Sequence, residues 1–186
     1  MSSRVFHLRG RKFKLYLLPS RLKYTRYLKD YINDPVVNQA LKYIRESIGG
    51  FQGKSLGVIV RRLTSFIRER MNHYIVKEGY FSPSEMVRLR VGNCLSMACL
   101  IYLVLFKLGF IGSYVLILKP RSKNNTFLHH AIVIVFDNRK IKVIDPDNIP
   151  HIKIFRDIDE VIEKLGVPVC LFNHEVAYIC MVKMLS

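Results

Sequence analysis

Apolar residues recur at helical spacing through the first half of the chain. Ser20 is a cap residue, and it predicts a helix that runs to about Asn33. Asp34-Pro35 starts the next predicted helix, because aspartate is a common cap and proline is favoured at the first helical position. From residue 56 to about residue 77, apolar positions repeat every three or four residues, which predicts a helix of some six turns.

Two further helices are predicted in the middle of the chain. Ser82, followed by a proline and then by Glu85, has the pattern of a capping box, and the helix that it starts should end near Arg90. A second helix, over residues 94–108, is apolar on almost every side and should therefore be buried. Gly109 is expected to end it.

After Gly109 the pattern changes to short segments rich in valine, isoleucine and phenylalanine, which predict strands. One short helix is expected among them, over residues 157–165. The predicted strands are 113–119, 128–136, 140–144, 151–155, 167–172 and 175–184. The fold class is therefore α+β, with N-terminal helices followed by a mainly antiparallel β-sheet.

The chain is strongly basic, with 30 Lys and Arg residues, 14 Asp and Glu residues and a formal charge of +16. We predict a basic N-terminal segment over residues 1–30, an edge strand or a docking arm, and one domain over residues 31–186. Such a charge favours anionic partners, although it is also typical of a solvated surface with no specific partner. A stripe on the long helix is suited to nucleic acid; it consists of Arg61, Arg62, Arg68, Arg70 and Lys77.

The four cysteines, at positions 94, 99, 170 and 180, have no CxxC spacing, which argues against a zinc site. Cys170 and Cys180 could form a disulfide in an oxidising compartment. The first 18 residues contain five Arg or Lys residues, so no signal peptide is predicted. The longest apolar run, residues 95–106, is too short to span a bilayer. We therefore expect a cytoplasmic protein without a transmembrane segment.

Cys94 lies at the first turn of the predicted buried helix, directly after Gly92 and Asn93. A helix N-terminus favours the thiolate form of cysteine, and its backbone N–H groups can stabilise an oxyanion. The absence of a side chain at Gly92 would let a substrate backbone approach. By itself this pattern is weak, because a cysteine in an apolar helix is usually a core residue, as Cys99 should be.

A predicted hairpin brings a histidine and an aspartate together. If its turn has two or four residues, paired residue numbers sum to 277 and Asp145 lies opposite Ile132. His130 then shares a face with Ile132 and is a diagonal neighbour of Asp145. A turn of three residues would select His129 instead. A nucleophile, a base and an orienting acid are the groups that an activated cysteine requires.

The segment Arg90-Val91-Gly92-Asn93-Cys94, with Lys107-Leu108-Gly109-Phe110 after it, resembles the cysteine segment of the transglutaminase-like superfamily. His130-Ala131 and Val143-Ile144-Asp145-Pro146 resemble its histidine and aspartate motifs. Met97 and Ile132 stand where the family often has aromatic residues, a departure that concerns the substrate pocket and the oxyanion geometry more than the fold. The resemblance implies a papain-like core with the nucleophile Cys94 at the N-terminus of a buried helix, His130 as base and acid, and Asp145 as the residue that fixes the imidazole.

The resemblance implies a cysteine protease or another thiol hydrolase, or an acyl transferase, with a peptide or protein as substrate. No cofactor or metal is expected, since the sequence has no loop of spaced carboxylates of the kind that binds calcium. Asn93, Tyr74 and the backbone N–H of Cys94 are candidate oxyanion donors. The alternative is a catalytically silent transglutaminase-like domain that binds nucleic acid through its basic surface. A third reading is a small structural domain with a coincidental Cys-His-Asp set.

Overall fold

The computed structural model describes the backbone of residues 2–8, 11–19, 23–71, 73–74, 81–120, 129–137 and 140–185. Side chains are described for residues 25–71, 81–119, 129–137 and 140–180. The strands are β1 (Ser2–Leu8), β2 (Arg11–Pro19), β3 (His73–Tyr74), β4 (Val91–Gly92), β5 (Ser113–Pro120), β6 (His130–Asp137), β7 (Lys140–Ile144), β8 (Ile152–Phe155), β9 (Gly166–Phe172) and β10 (Ala177–Leu185). The α-helices are α1 (Lys23–Tyr31), α2 (Pro35–Ile48), α3 (Leu56–Arg70), α4 (Pro83–Leu89), α5 (Cys94–Lys107) and α6 (Ile158–Leu165), and Pro146–Asn148 form a 3-10 turn.

Eight strands form one sheet in the order β1-β2-β10-β9-β5-β6-β7-β8, and every neighbouring pair is antiparallel. The predicted α+β class with a mainly antiparallel sheet is confirmed. The two strands of the basic N-terminal segment lie at one edge of this sheet, where β2 pairs with β10. β3 and β4 form a separate short parallel pair directly before the start of α5.

The sheet separates two hydrophobic cores, and β6 contributes alternate residues to each of them. Ala131, Val133 and Val135 belong to the larger core, which also contains the buried residues of the first five helices. Ile132 and Ile134 belong to a smaller core on the other face, together with Val161 of α6. This alternation is the period of two that a strand buried on both faces must have.

The helix α5 lies within the larger core, as its apolar pattern predicts. Ten of its 14 residues are buried, and it packs against both β5 and β6. Its burial fixes the position of its first turn relative to the start of β6. Among the helices that the structure describes, none has both the length and the apolar run needed to cross a bilayer.

The predicted long helix is shorter than its apolar pattern suggested, because α3 ends at Arg70 instead of near residue 77. Met71 has an extended backbone, and residues 73 and 74 pair in parallel with Val91 and Gly92. The hydrogen bonds of this short strand pair replace those that two further helical turns would make. Lys77, the last residue of the predicted basic stripe, lies outside the described residues.

Candidate active site

Cys94 is the first residue of α5, and the N-cap residue Asn93 positions it there through two hydrogen bonds. The carbonyl of Asn93 accepts from the N–H of Met97 at 3.0 Å, and its side-chain oxygen accepts from the N–H of Ser96 at 2.9 Å. Ser96 in turn accepts a hydrogen bond on its hydroxyl from the N–H of Phe81, at 2.9 Å, which ties the segment before α4 to the helix. These contacts hold the cysteine at the positive end of the helix dipole.

Gly92 packs closely against two methionine side chains. A Cβ at this position would lie 2.5 Å from the terminal methyl of Met71 and 3.3 Å from that of Met86. A side chain at this position would therefore require these two methionines to shift. The sequence could not show this, because Met71 lies 21 positions away along the chain.

The register of the β6–β7 hairpin brings the histidine to the aspartate. Val133 pairs with Ile144 and Asp137 pairs with Lys140, so paired residue numbers sum to 277 as predicted for a two-residue turn. The Nε2 atom of His130 lies 2.8 Å from Oδ1 of Asp145. The even-length turn thus selects His130 over His129, whose own side chain is exposed.

Asp145 is held by hydrogen bonds from its own turn. It caps the 3-10 turn, and its Oδ1 accepts from the N–H of Asp147 at 3.1 Å. Its Oδ2 accepts from the side-chain amide of Asn148 at 2.7 Å. With His130 as a third donor, the carboxylate has one fixed orientation. The sequence motif identified Asp145, but Asn148 was missed, although an amide three residues after a turn aspartate is a typical local partner.

Cys94 completes the constellation, since its thiol hydrogen bonds with the imidazole of His130. Because Nε2 is occupied by Asp145, Nδ1 is the nitrogen left for the thiol. The Sγ atom also approaches the backbone carbonyl of His129, at 4.0 Å. The three residues predicted from separate parts of the sequence therefore meet at the start of α5.

The electrostatics of the site favour a charged imidazole. Burial lowers the pKa of His130, but hydrogen bonds with Asp145 and Cys94 and the charges of Asp145 and Asp147 outweigh it and raise the pKa from 6.5 to about 10. Burial raises the pKa of Asp145, but hydrogen bonds from His130 and Asn148 more than offset it, so that this pKa lies below its usual value. An imidazolium beside a thiol is the arrangement that stabilises a thiolate.

Comparison with known families identifies the fold. The family described as the transglutaminase-like domain matches residues 20–166, which is most of the chain. The chain belongs to this family. No curated protein matches the sequence.

Solved structures agree with the family on the fold. LapG of Legionella pneumophila, in a structure described as EGTA-treated, has a TM-score of 0.55 at 16% identity and covers 88% of this chain and 87% of its own. The calcium-bound form of the same protein has a TM-score of 0.55 at 14% identity, with 83% and 87% covered. At these identities the likeness shows a shared transglutaminase-like or papain-like fold and no more.

The other three cysteines lie apart from this site. Cys99 is buried in the middle of α5, as predicted. Burial raises the pKa of both Cys170 and Cys180 to about 12. None of the four cysteines, whose side chains are all described, forms a disulfide. Cys170 pairs with Ile179 across β9 and β10, so Cys180 points to the opposite face of the sheet, a placement that does not allow the two cysteines to form a disulfide.

The structure describes the side chain of one of the two predicted side-chain oxyanion donors, Asn93. Asn93 is buried, and its side-chain oxygen caps α5. The side chain of Tyr74 lies outside the described residues. The backbone N–H of Cys94, at the first turn of the helix, is the candidate that these placements leave unaffected.

One group of donor atoms in the described part of the chain could hold a metal ion. The group consists of His130, Asp145 and Asp147, whose ligand atoms all lie within 4.8 Å of one another. Both oxygens of Asp145 already accept hydrogen bonds, and Nε2 of His130 is one of the donors. Two members of the group, His130 and Asp145, are therefore already bonded to each other.

The predicted basic stripe is divided by contacts within the chain. Arg61 and Arg62 are exposed on α3. Arg68 donates to the carbonyl of Ile149 at 3.0 Å, which ties α3 to the end of the turn that carries Asp145. Arg70 lies over the ring of Phe66, with its guanidinium carbon 4.0 Å from the ring centroid. Arg61 also donates from Nε to the carbonyl of Gly57, at 3.4 Å, so three of the four described arginines have contacts that the sequence pattern did not reveal.

Proposed function

We propose that this chain is a cysteine-dependent enzyme that acts on amide bonds of peptides or proteins, as a peptidase, an amidase or an acyl transferase. The proposal assigns Cys94 as nucleophile, His130 as acid and base, and Asp145 as the carboxylate that orients the imidazole. The observation that carries it is the bonding of His130, which contacts the thiol at the start of α5 while Asp145 holds its other nitrogen at 2.8 Å.

In this mechanism the Cys94 thiolate attacks the carbonyl carbon of the substrate, and a carbon–sulfur bond forms while the carbonyl electrons move to oxygen. We assign the backbone N–H of Cys94, in the first turn of α5, as a donor to this developing charge. Collapse of the adduct breaks the carbon–nitrogen bond. The His130 imidazolium protonates the departing amine, leaving a thioester on Cys94.

The second half of the reaction decides between hydrolysis and transfer. Neutral His130 removes a proton from the incoming nucleophile, which attacks the thioester and releases the Cys94 thiolate. Water as nucleophile yields a carboxylic acid, and a primary amine yields a new amide. A peptide substrate incubated with and without a primary amine separates these two outcomes by mass spectrometry.

The first test is the alkylation of the cysteines by iodoacetamide as a function of pH. We expect one fast thiol at Cys94, titrating below the unperturbed value of about 8.5. The rate at neutral pH should fall by about tenfold or more in His130→Ala, since each unit of thiol pKa changes the thiolate fraction about tenfold. Peptide mapping identifies the modified residue.

Cys99→Ala is the matched control, because it removes a buried cysteine from the same helix. It should leave the fast reaction unchanged, whereas Cys94→Ala should abolish it. If all four cysteines react slowly and alike in the parent protein, the catalytic proposal is wrong.

A second proposal is a catalytically silent domain that binds nucleic acid. The formal charge of +16 and the exposed Arg61 and Arg62 favour it. The contacts of Arg68 and Arg70 within the chain reduce the number of cations on α3 that are available to phosphates.

A further inference from the structure

A second carboxylate, that of Asp147, lies beside the imidazole of His130. Its Oδ2 atom is 3.6 Å from Nδ1, while Asp145 lies 2.8 Å from Nε2. Since Asp145 occupies Nε2, Nδ1 is the nitrogen left for the thiol, and Asp147 therefore lies on the side of the ring that we assign to proton exchange with Cys94. The Asp147 side chain is 41% exposed, whereas that of Asp145 is 13% exposed.

One short turn supplies both carboxylates. The N–H of Asp147 donates to Asp145, and Asn148 donates to the other oxygen of Asp145. The carbonyl of Ile149, at the end of the turn, accepts from Arg68 of α3. The backbone that carries Asp147 is thus attached both to the triad and to a helix of the core.

The groups that face His130 from the surrounding elements are few within the described residues. The helix α5 contributes the Cys94 thiol, and the turn contributes Asp145 and Asp147. On β5 the residue opposite His130 is Leu118, which carries no charge. Asp147 is therefore the second fixed negative charge beside the ring, after Asp145.

We propose that Asp147 is a positioning residue whose negative charge holds His130 in its imidazolium form, with Nδ1–H directed at Cys94. At 3.6 Å the carboxylate is too far from Nδ1 for a hydrogen bond, so it attracts the positive charge without taking the proton from the thiol. The charge of Asp147 is one of the causes that raise the pKa of His130 to about 10. The inference deepens the proposed function, because the charged imidazole is the partner of the thiolate.

The test is an NMR titration of the histidine ring carbons in the full chain, with the His130 signal assigned by its loss in His130→Gln. Asp147→Asn and Asp147→Ser should each lower the pKa of His130 by about one unit, as expected for the loss of a partly exposed charge at this distance. Asp147→Glu, which keeps the charge, should retain most of the elevation. Two neutral variants allow the test to proceed if one of them folds poorly.

Asp137→Asn is the matched control. It also removes one negative charge, but Asp137 lies at the far end of the same hairpin and pairs with Lys142. It should leave the His130 titration unchanged. If Asp147→Asn and Asp147→Ser behave like this control, the proposal is overturned.

The outcome is separable from that of the proposed function. The titration of His130 reports on the charge of Asp147 whether or not Cys94 reacts, and alkylation of the parent protein tests Cys94 whether or not Asp147 matters. If Cys94 is alkylated slowly but the pKa of His130 falls in the Asp147 variants, the enzyme is rejected and the role of Asp147 is retained. If Cys94 is alkylated fast but the pKa of His130 does not change, the enzyme is retained and the role of Asp147 is rejected.

Discussion

At the scale of single residues, the site depends on a carboxylate whose bonding is complete. Asp145 accepts hydrogen bonds from His130, from the backbone of Asp147 and from the amide of Asn148. A carboxylate that accepts several hydrogen bonds stays ionised, and its pKa is lowered accordingly. It can therefore fix the imidazole orientation throughout the neutral range.

Asp145→Asn should make the stability of the protein less dependent on pH between about 6.5 and 10. The folded-state pKa of His130, about 10, lies above the unfolded value of 6.5. Its contribution to stability is therefore full below pH 6.5 and is lost as the pH rises towards 10. The loss in the parent protein should be a few kcal/mol at most, since one pKa unit corresponds to about 1.4 kcal/mol.

Urea denaturation at pH 6 and at pH 10 measures this difference. The parent should lose more stability than Asp145→Asn over that interval, and Asp137→Asn, which removes a charge away from the site, should behave as the parent does. An equal loss in the parent and in Asp145→Asn would show that Asp145 does not set the pKa of His130. Asp145 itself titrates below this interval, so it adds no slope there.

At the scale of elements, the start of α5 is the feature on which the site depends. The cap at Asn93 fixes the first turn of this buried helix, and the strand pair β3–β4 leads the chain into it. The position of the thiol is therefore set by a local hydrogen bond and by the burial of the helix behind it. The hydrogen bond and the burial of the helix both hold the thiol in place without a substrate.

Asn93→Ala should lower the free energy of unfolding by about 1 kcal/mol, the usual cost of losing a side-chain cap. It should also slow the alkylation of Cys94, because the first turn that carries the thiol loses its cap. Asn93→Asp keeps an oxygen acceptor and should restore most of the stability. Urea denaturation and the alkylation rate are the two measurements.

Ser55→Ala is the control for a helix start without such a bond. Ser55 precedes α3, and its side chain makes no capping hydrogen bond. This variant should change the free energy of unfolding by much less than Asn93→Ala does. Equal effects of the two substitutions would mean that the hydrogen bond from Ser96 to Asn93 contributes little.

At the scale of the whole molecule, a strongly basic chain contains an active-site candidate in which negative groups outnumber the one positive group. His130 lies between two carboxylates, while the formal charge of the chain is +16. The net charge therefore acts on partners at the surface and not through the triad. Nucleic-acid binding can therefore be tested with surface variants that leave the triad intact.

The nucleic-acid proposal predicts binding to single-stranded or double-stranded DNA that weakens steeply as salt rises. Replacing both Arg61 and Arg62 by alanine should then weaken binding. It should also make the slope of log K against log salt shallower by the equivalent of about two phosphate contacts, each of which contributes about 0.9 to the slope for duplex DNA. Fluorescence anisotropy from 50 to about 200 mM salt measures both quantities.

Lys153→Ala with Arg156→Ala is the matched control, because it also removes two positive charges, on and just after β8. If this pair weakens binding as much as the α3 pair does, the interaction reflects net charge alone. Cys94→Ala should leave DNA binding unchanged.

The sequence by itself determined the features that depend on near neighbours in the chain. Helix starts at Asp34 and Ser82 follow from capping chemistry within three residues, and the structure shows both caps. The pairing of His130 with Asp145 follows from a two-residue turn, because a strand alternates its faces with a fixed period. Motif resemblance supplied Cys94, the one member of the set that local geometry could not connect to the others.

Tertiary structure decided what depends on residues far apart in sequence. The helix α3 stops at Arg70 because its continuation pairs with residues 91 and 92, which no local pattern encodes. Arg68, which the sequence placed on a binding stripe, instead holds the carbonyl of Ile149. Periodicity and caps act over a few residues, whereas these contacts exist only once the core has formed.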